Sequence, residues 1–511
     1  MTARGRRVRR RAGSMFGIGL AIVAAAAALR AQAPPSPEDV ARRQYASGLE
    51  FLRAGRHAEA LKDFQTVVDS YPGTSVADEA LLAIARYELE VVRDPVRAQA
   101  TAESVLKRFP ASDSVAMAYV VAGQAMVQQG LTQTNVDAAL ASFERVPRLF
   151  PGTPAVAPAL YAAGETLRRL GRCEEALERF GRVVLEYPRS AWSAHARTSS
   201  AKCLALAGRV PDAMRALYRV SAMSPGAESL DAARTLGTIL NRLYVRPPAQ
   251  PAYVPSERTI AGAGGRLRDV SALALSPDGS VYVAGRAGIS VFDSRGLPVR
   301  AAAAGEIRDM ALDPRGRAVG VQKALVVQET PKPPASLTTL TVPPSGGGAA
   351  RVLDDLAAIA VLSSGDWLVA DRSARGVYRF TSGGKYIGPF ATGRISRIAV
   401  DPSDNVALLD GDAKTVSIHD RSGKAVTRIA TKGTGYVLAN PEDLAFDPLG
   451  YLYVLDRTSV LVFAPKASTP LVTFSDPRAA AGLRKGLALA VDVAARLYVY
   501  DESAERVLVY Q

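Results

Sequence analysis

Two tandem repeats of different kinds run along this chain, and they limit its fold more than any other feature. In the first half an aromatic-proline pair returns as Tyr71-Pro72, Phe109-Pro110, Phe150-Pro151 and Tyr187-Pro188, with Ser224-Pro225 as a weaker fifth copy. The prolines are 38, 41, 37 and 37 residues apart. Twelve residues before each stands an alanine (Ala60, Ala98, Ala139, Ala176, Ala213). Eight residues before three of them is a phenylalanine (Phe64, Phe143, Phe180), and seventeen before three of them a glycine (Gly55, Gly171, Gly208). A fixed period of this length signals a stack of supersecondary units. Each unit reads as a helix, a glycine turn, a second helix and a proline stop, because proline cannot extend the hydrogen-bond ladder. The alanine lets the two helices approach and the phenylalanine fills the gap beneath them. A hairpin with apolar faces on both flanks is stable only when stacked. The second copy departs from the pattern, with Arg93 at the glycine position and Ala102 at the phenylalanine position. The third keeps Gly123 and Gly130 seven residues apart and then inserts LTQTN. Residues 227–244 read as a closing helix.

The segments AGRHAEALKDFQTVVDSYPGTSVADEALL and LGRCEEALERFGRVVLEYPRSAWSAHA closely resemble the tetratricopeptide repeat. The longer period and the tyrosine-proline ending are most similar to repeats of periplasmic proteins that accompany the Tol-Pal system and outer-membrane assembly. The resemblance covers roughly residues 36–225. It implies a concave surface, lined by the first helix of each pair, that holds a peptide or partner. Candidate lining residues in the first unit are Arg42, Tyr45, Leu49 and Arg53; the alternative is that they form an ordinary solvated face.

Past residue 256 the period switches from helical to alternating. First strands and turns read SALALSPDG, DMALDPRG, AIAVLSSGD, RIAVDPSDN, DLAFDPLG and ALAVDVAAR, each followed by two further apolar strands. The turns fall at 277, 314, 363, 402, 448 and 493, spacings of 37, 49, 39, 46 and 45. Short strands with regular turns at this period predict a six-bladed β-propeller. The units resemble NHL repeats, whose second strand ends in a Val-Ala-Asp-like triplet. Asp371, Asp410, Asp456 and Asp501 match that aspartate, while Gly285 and Val321 depart from it. One aspartate per blade reads as an acceptor for backbone amides at its own turn rather than as a calcium ligand. The chain stops at Gln511 just after a third strand, so residues near Glu257–Ala261 are expected to supply the last blade's outermost strand and close the ring.

The expected fold class is therefore multidomain α plus all-β. Residues 36–244 form tetratricopeptide-like hairpins (five plus a closing helix), 245–256 a proline-rich linker and 257–511 the propeller. Residues 1–33 carry an address: arginines up to residue 11, an apolar run over 15–29, then Ala31-Gln32-Ala33 before Pro34. This is the layout of a secretory signal peptide, and fifteen apolar residues make only about 22 Å of helix. An uncleaved anchor, arginines inside, is the alternative, since proline directly after the cut is a poor substrate. A periplasmic or secreted location is expected, or an inner-membrane anchor facing the periplasm. No cysteine lies near residue 33, which excludes lipid attachment there.

The net charge of +14 contains seven arginines from that leader; +2 remains over 34–245 and +5 over 246–511. So thin a charge disfavours nucleic-acid binding. Two cysteines and three histidines leave little room for a metal site. Cys173 and Cys203 fall on helices expected to be antiparallel neighbours, and the register places residue 173 opposite 204, within disulfide reach in an exported compartment. Two buried thiols are the alternative. Propellers resembling this one include secreted lyases that depend on histidine or a metal, but the propeller half holds only His419. No catalytic, cofactor or metal residues are assigned. The reading is a non-catalytic exported scaffold or adaptor for protein or peptide partners in the bacterial cell envelope, with membrane contact only through an uncleaved N-terminus. A secreted lyase-like enzyme carrying the helices as a targeting module is the rival.

Overall fold

A computed structural model describes residues 35–223, 226–246, 251–262, 265–330, 335–344, 350–429, 437–475 and 483–511. It shows an array of paired helices over residues 37–245 followed by a six-bladed β-propeller. Two compact units divide the chain, residues 1–84 and 85–511. The leader 1–33 and the Ser224-Pro225 pair lie outside the described residues. Among the described residues no helix is long and apolar enough to cross a membrane.

The helices follow as pairs: α1 (Pro37–Arg53) and α2 (His57–Ser70), α3 (Ala77–Tyr87) and α4 (Pro95–Arg108), α5 (Ser114–Gln128) and α6 (Gln133–Leu149), α7 (Val156–Arg169) and α8 (Cys173–Glu186), α9 (Ala191–Leu206) and α10 (Val210–Ala222). Helix α11 (Ala227–Leu240) closes the array. Four second helices stop in one conformation. Tyr71, Phe109, Phe150 and Tyr187 leave the helical region with ψ of 47°, 53°, 50° and 52°, as a residue before proline must, and each amide still donates to a valine carbonyl four residues back. Starts are equally local: Ser36, Asp94 and Thr132 each accept the amide three residues on, at 3.1, 3.1 and 3.2 Å.

The turns inside the hairpins need a left-handed residue, and Gly55, Gly171 and Gly208 take φ of 70°, 73° and 74°. The arginine after each donates its amide to the carbonyl five residues back and pairs with an acid three residues on, as in Arg56–Glu59, Arg172–Glu175 and Arg209–Asp212. In the second pair Arg93 itself takes φ of 55°, and α3 runs into a π-helical turn, Glu88–Val92. Beneath the turns Gly48, Gly123 and Gly164 lie flat on Phe64, Phe143 and Phe180. A Cβ at those glycines would stand 2.6, 2.5 and 2.5 Å from the ring. The small residues that let the helices close are thus these glycines as well as the repeated alanines.

Each blade is a four-stranded antiparallel sheet. The first strands, Val270–Leu275, Asp309–Leu312, Leu356–Val361, Ile395–Val400, Pro441–Phe446 and Gly486–Val491, neighbour one another in a closed ring and form its inner wall. The last blade takes its outer strand from Pro255–Ile260, which pairs antiparallel with Arg506–Tyr510, so the two ends of the propeller close it as expected. Val254 and Gln511 extend that seam by exchanging amide bonds at 2.9 Å, and Tyr253 is fully buried. The long interval before blade 3 holds the outer strand Ser336–Thr338 and a small hairpin, Thr341–Val342 with Arg351–Val352.

Replacing Gly123 by alanine pushes a methyl group into the Phe143 ring. A loss of about 1–3 kcal/mol in urea unfolding is expected, against little change for an alanine at half-buried Gly181, where nothing lies within 4 Å of the added methyl.

Candidate functional site

Within residues 85–511 the helices meet the propeller end-on. The turns that end α3, α5 and α7 face the strand 1–2 turns of blades 2, 3 and 4 in order. Arg93 donates to the Pro314 carbonyl and accepts from Arg315, at 3.4 Å, through its own carbonyl. Gly130 comes so near blade 3 that a Cβ there would sit 3.1 Å from Ser364 Cβ. Burial pulls the Arg169 guanidinium down from its ordinary value, opposed by Asp404 of the blade 4 turn. Arg242 then donates to the Ala495 carbonyl of blade 6 at 2.8 Å, and the Tyr244 hydroxyl meets that of Tyr451 in blade 5 at 2.7 Å. One mouth of the ring is therefore roofed by helices. A cavity of about 1010 Å³ remains beneath the roof, lined by Leu89, Arg93 and Arg169 from above and Pro277, Phe446 and Val493 from below.

The channel wall carries one decisive layer. The pairing of each first strand with the second makes Ala272, Asp309, Ala358, Arg397, Asp443 and Ala488 equivalent positions on the six blades. Arg397 of blade 4 reaches across the ring to the Ser271 carbonyl of blade 1 at 3.0 Å and lies 3.4 Å from the Asp443 carboxylate. Asp309 accepts the Ile359 amide of blade 3 at 3.0 Å, and Asp443 the Leu489 amide of blade 6 at 2.7 Å. Desolvation, opposed mainly by Arg397, pushes Asp309 up to about 7 and Asp443 up to about 6. The guanidinium stands where a cation would bridge these carboxylates, and it plugs the channel.

A third buried acid, Asp447, lies in the blade 5 turn. It accepts the amides of Leu449 and Tyr451 at 2.8 and 3.0 Å and the Tyr453 hydroxyl at 3.3 Å; Tyr453 in turn accepts from Tyr253 at 3.0 Å. Burial raises Asp447 to about 7.

The repeated aspartates act on backbone. Asp371 accepts from Asp355 and Ala374, Asp410 from Ala413, Asp456 from Ala439, and Asp501 from Lys485 and Ala504. His419 sits on the third strand of blade 4, bonded through Nδ1 to the Gly423 carbonyl and through Nε2 to Ser417. Among the described residues no three His, Cys, Asp or Glu side chains gather as metal ligands. Of the groove candidates on α1, Arg42 and Arg53 are exposed, while Tyr45 and Leu49 are half-buried; Arg42 pairs with Glu38 and Tyr45 packs on Phe64. Cys173 and Cys203 are free thiols, yet side by side as the register implies. Their hydrogen bond lowers Cys173 and, with burial, pushes Cys203 up. Sequence reasoning missed the Asp309–Arg397–Asp443 layer. Its signal was a charged residue in a column of first strands that is otherwise alanine.

Residues 37–202 match the family model described as "YfiO: Outer membrane lipoprotein". No curated protein matches the chain. A virginiamycin B lyase from Staphylococcus aureus is similar at 13% identity and TM-score 0.35, over 46% of this chain and 78% of that one. A gluconolactonase from Xanthomonas campestris is similar at 16% and 0.37, over 52% and 98%. A thermophilic TPR protein from Thermus thermophilus is similar at 19% and 0.32, over 39% and 97%.

The carboxyls of Asp309, Asp443 and Asp447, raised to about 6 to 7, set a pH dependence. Each is held protonated in the folded state above its unfolded value, so its contribution to stability is full below about pH 4 and is lost as the pH rises through 6 to 7. Asp447→Asn, which keeps an acceptor for the Leu449 and Tyr451 amides, should flatten the fall in stability between pH 4 and 7. Its advantage over the parent should grow by up to about 1.4 kcal/mol per pH unit; parallel stability curves would place the titration elsewhere. For the thiols, export is expected to join Cys173 to Cys203, the two protons and two electrons passing to a disulfide-bonded oxidant. Intact mass of the unreduced exported protein should lack two hydrogens; two free thiols would refute the bond.

Proposed function

We propose that this protein is a non-catalytic scaffold of the bacterial cell envelope, binding protein or peptide partners through its helical array and the open face of its propeller. The observation that carries the reading is the end-on docking of successive hairpin turns on successive blades. A targeting module tethered to an enzyme has no need of such a seam. A scaffold does, because it must hold two binding surfaces in fixed relation. The family model matched by residues 37–202 is named for outer-membrane lipoproteins, and this supports the envelope as the compartment. Both cysteines of this sequence lie in helices α8 and α9, so membrane attachment in this proposal runs through residues 1–33 rather than through a lipidated cysteine.

The rival reading, a propeller-based lyase, draws support from the charged groups around the open mouth of the channel. Against it, His419 is held on a third strand, and Arg397 already engages the channel carboxylates.

Photo-cross-linkers placed at Arg42 and Arg53 on α1, both exposed on a first helix, test the scaffold reading in envelope fractions. Discrete protein adducts identified by mass spectrometry are expected. Recovery of no protein above background, with a small metabolite retained instead, would turn the reading towards an enzyme or receptor.

A further inference from the structure

We propose that the open mouth of the propeller is a binding site for a small ligand bearing a carboxylate or phosphate group. A cavity of about 430 Å³ opens there, opposite the helical roof and above the Arg397 plug, a volume in the range of small-molecule sites. Four arginines from four consecutive blades converge on it: Arg286, Arg308, Arg372 and Arg397. Arg286 and Arg372 hold the same place in their blades, directly after the second strands Val281–Gly285 and Trp367–Asp371.

Two of the four are positioned by the fold. Arg308 donates to Asp355 at 2.7 Å and to the Leu356 carbonyl at 3.0 Å. Arg397 donates to the carbonyls of Ser271 and Ser396, and its Nε lies 3.4 Å from the Asp443 carboxylate. The other two, Arg286 and Arg372, are exposed and make no ion pair among the described residues. Arg308 and Arg397 are paired with Asp355 and Asp443, and the lining adds Asp269 and Glu306, so Arg286 and Arg372 are the cations left to meet a ligand. Like charges gathered around one concavity repel, and an anion entering it relieves that repulsion while taking forked, charge-assisted hydrogen bonds. The rim arginines supply the capture and the seated pair the orientation. The site belongs to the propeller and does not rest on the scaffold reading.

Titration calorimetry of the full-length protein with inorganic phosphate and, separately, with succinate tests this, chloride being adjusted to hold ionic strength constant. Saturable binding of phosphate alone would assign a phosphoryl group, of succinate alone a carboxylate, and of both a simple anion cup; each supports the proposal. Arg286→Ala/Arg372→Ala should weaken binding by about tenfold or more while leaving the unliganded thermal midpoint unchanged, since both side chains are exposed. Absence of saturable binding to either probe, or equal binding by the double variant, would overturn it.

Discussion

A helical hairpin ends in a turn whose backbone groups and terminal side chains need partners, and here successive turns find them on successive blades. Arg93, Gly130 and Arg169 face the turns of blades 2, 3 and 4, and the segment after α11 reaches blades 5 and 6. Stacked repeats normally shield their flanks only against one another. In this chain they also use their edge, where exposed Arg93 and half-buried Arg242 donate to carbonyls that the blade turns leave pointing outward. The same seam gives the propeller a direction. One mouth is roofed and keeps a cavity under the helices; the other faces outward with its arginines.

Charge inside the ring follows a simple geometry. Blades 1 and 4 stand opposite each other, as do blades 2 and 5. Arg397 spans the first pair, and the two aspartates of the second pair each pin the inner strand of the next blade. A buried pair of this kind gains little net stability over apolar packing. Its effect is specific: three blades carry alanine in this layer, so the charged trio fixes which blades meet across the channel. Breaking it by removing Arg397 would strand two carboxyls in a dry interior, which is why the capture of a ligand is better read at the rim.

The architecture was legible because both repeats impose a period on residue types with a mechanical role. A proline stop, a left-handed glycine and a strand turn can each be read from one or two residues, and closure of the ring by residues 255–260 follows from the missing outer strand. The site was not legible in the same way. Asp309, Arg397 and Asp443 are 88 and 46 residues apart and become neighbours only when first strands from blades 2, 4 and 5 line one channel. Nothing in a single strand marks them. Aligned as a column, they are the charged residues in a place otherwise kept for alanine, so the information was present in the comparison between blades and absent from any one of them. The groove residues on α1 were chosen by helical spacing alone, and spacing does not distinguish Tyr45, which packs on Phe64, from exposed Arg53.

Departures from the repeat pattern carry the rest of the meaning. The consensus turn is a left-handed glycine followed by arginine, as in pairs one, four and five. In pair two a residue with a side chain accepts the left-handed strain at Arg93, and α3 widens into a π-helical turn to deliver it. Such strain costs on the order of 1 kcal/mol, and the compensation lies outside the hairpin, in the guanidinium that reaches Pro314. In pair three the glycine is kept but displaced before the LTQTN insertion, and there the backbone itself closes on Ser364, where any side chain would intrude. One turn thus gains a long side chain where the gap is wide and the next forgoes one where the gap is narrow. The irregularities that make copies two and three look degenerate are the places where those turns meet blades 2 and 3.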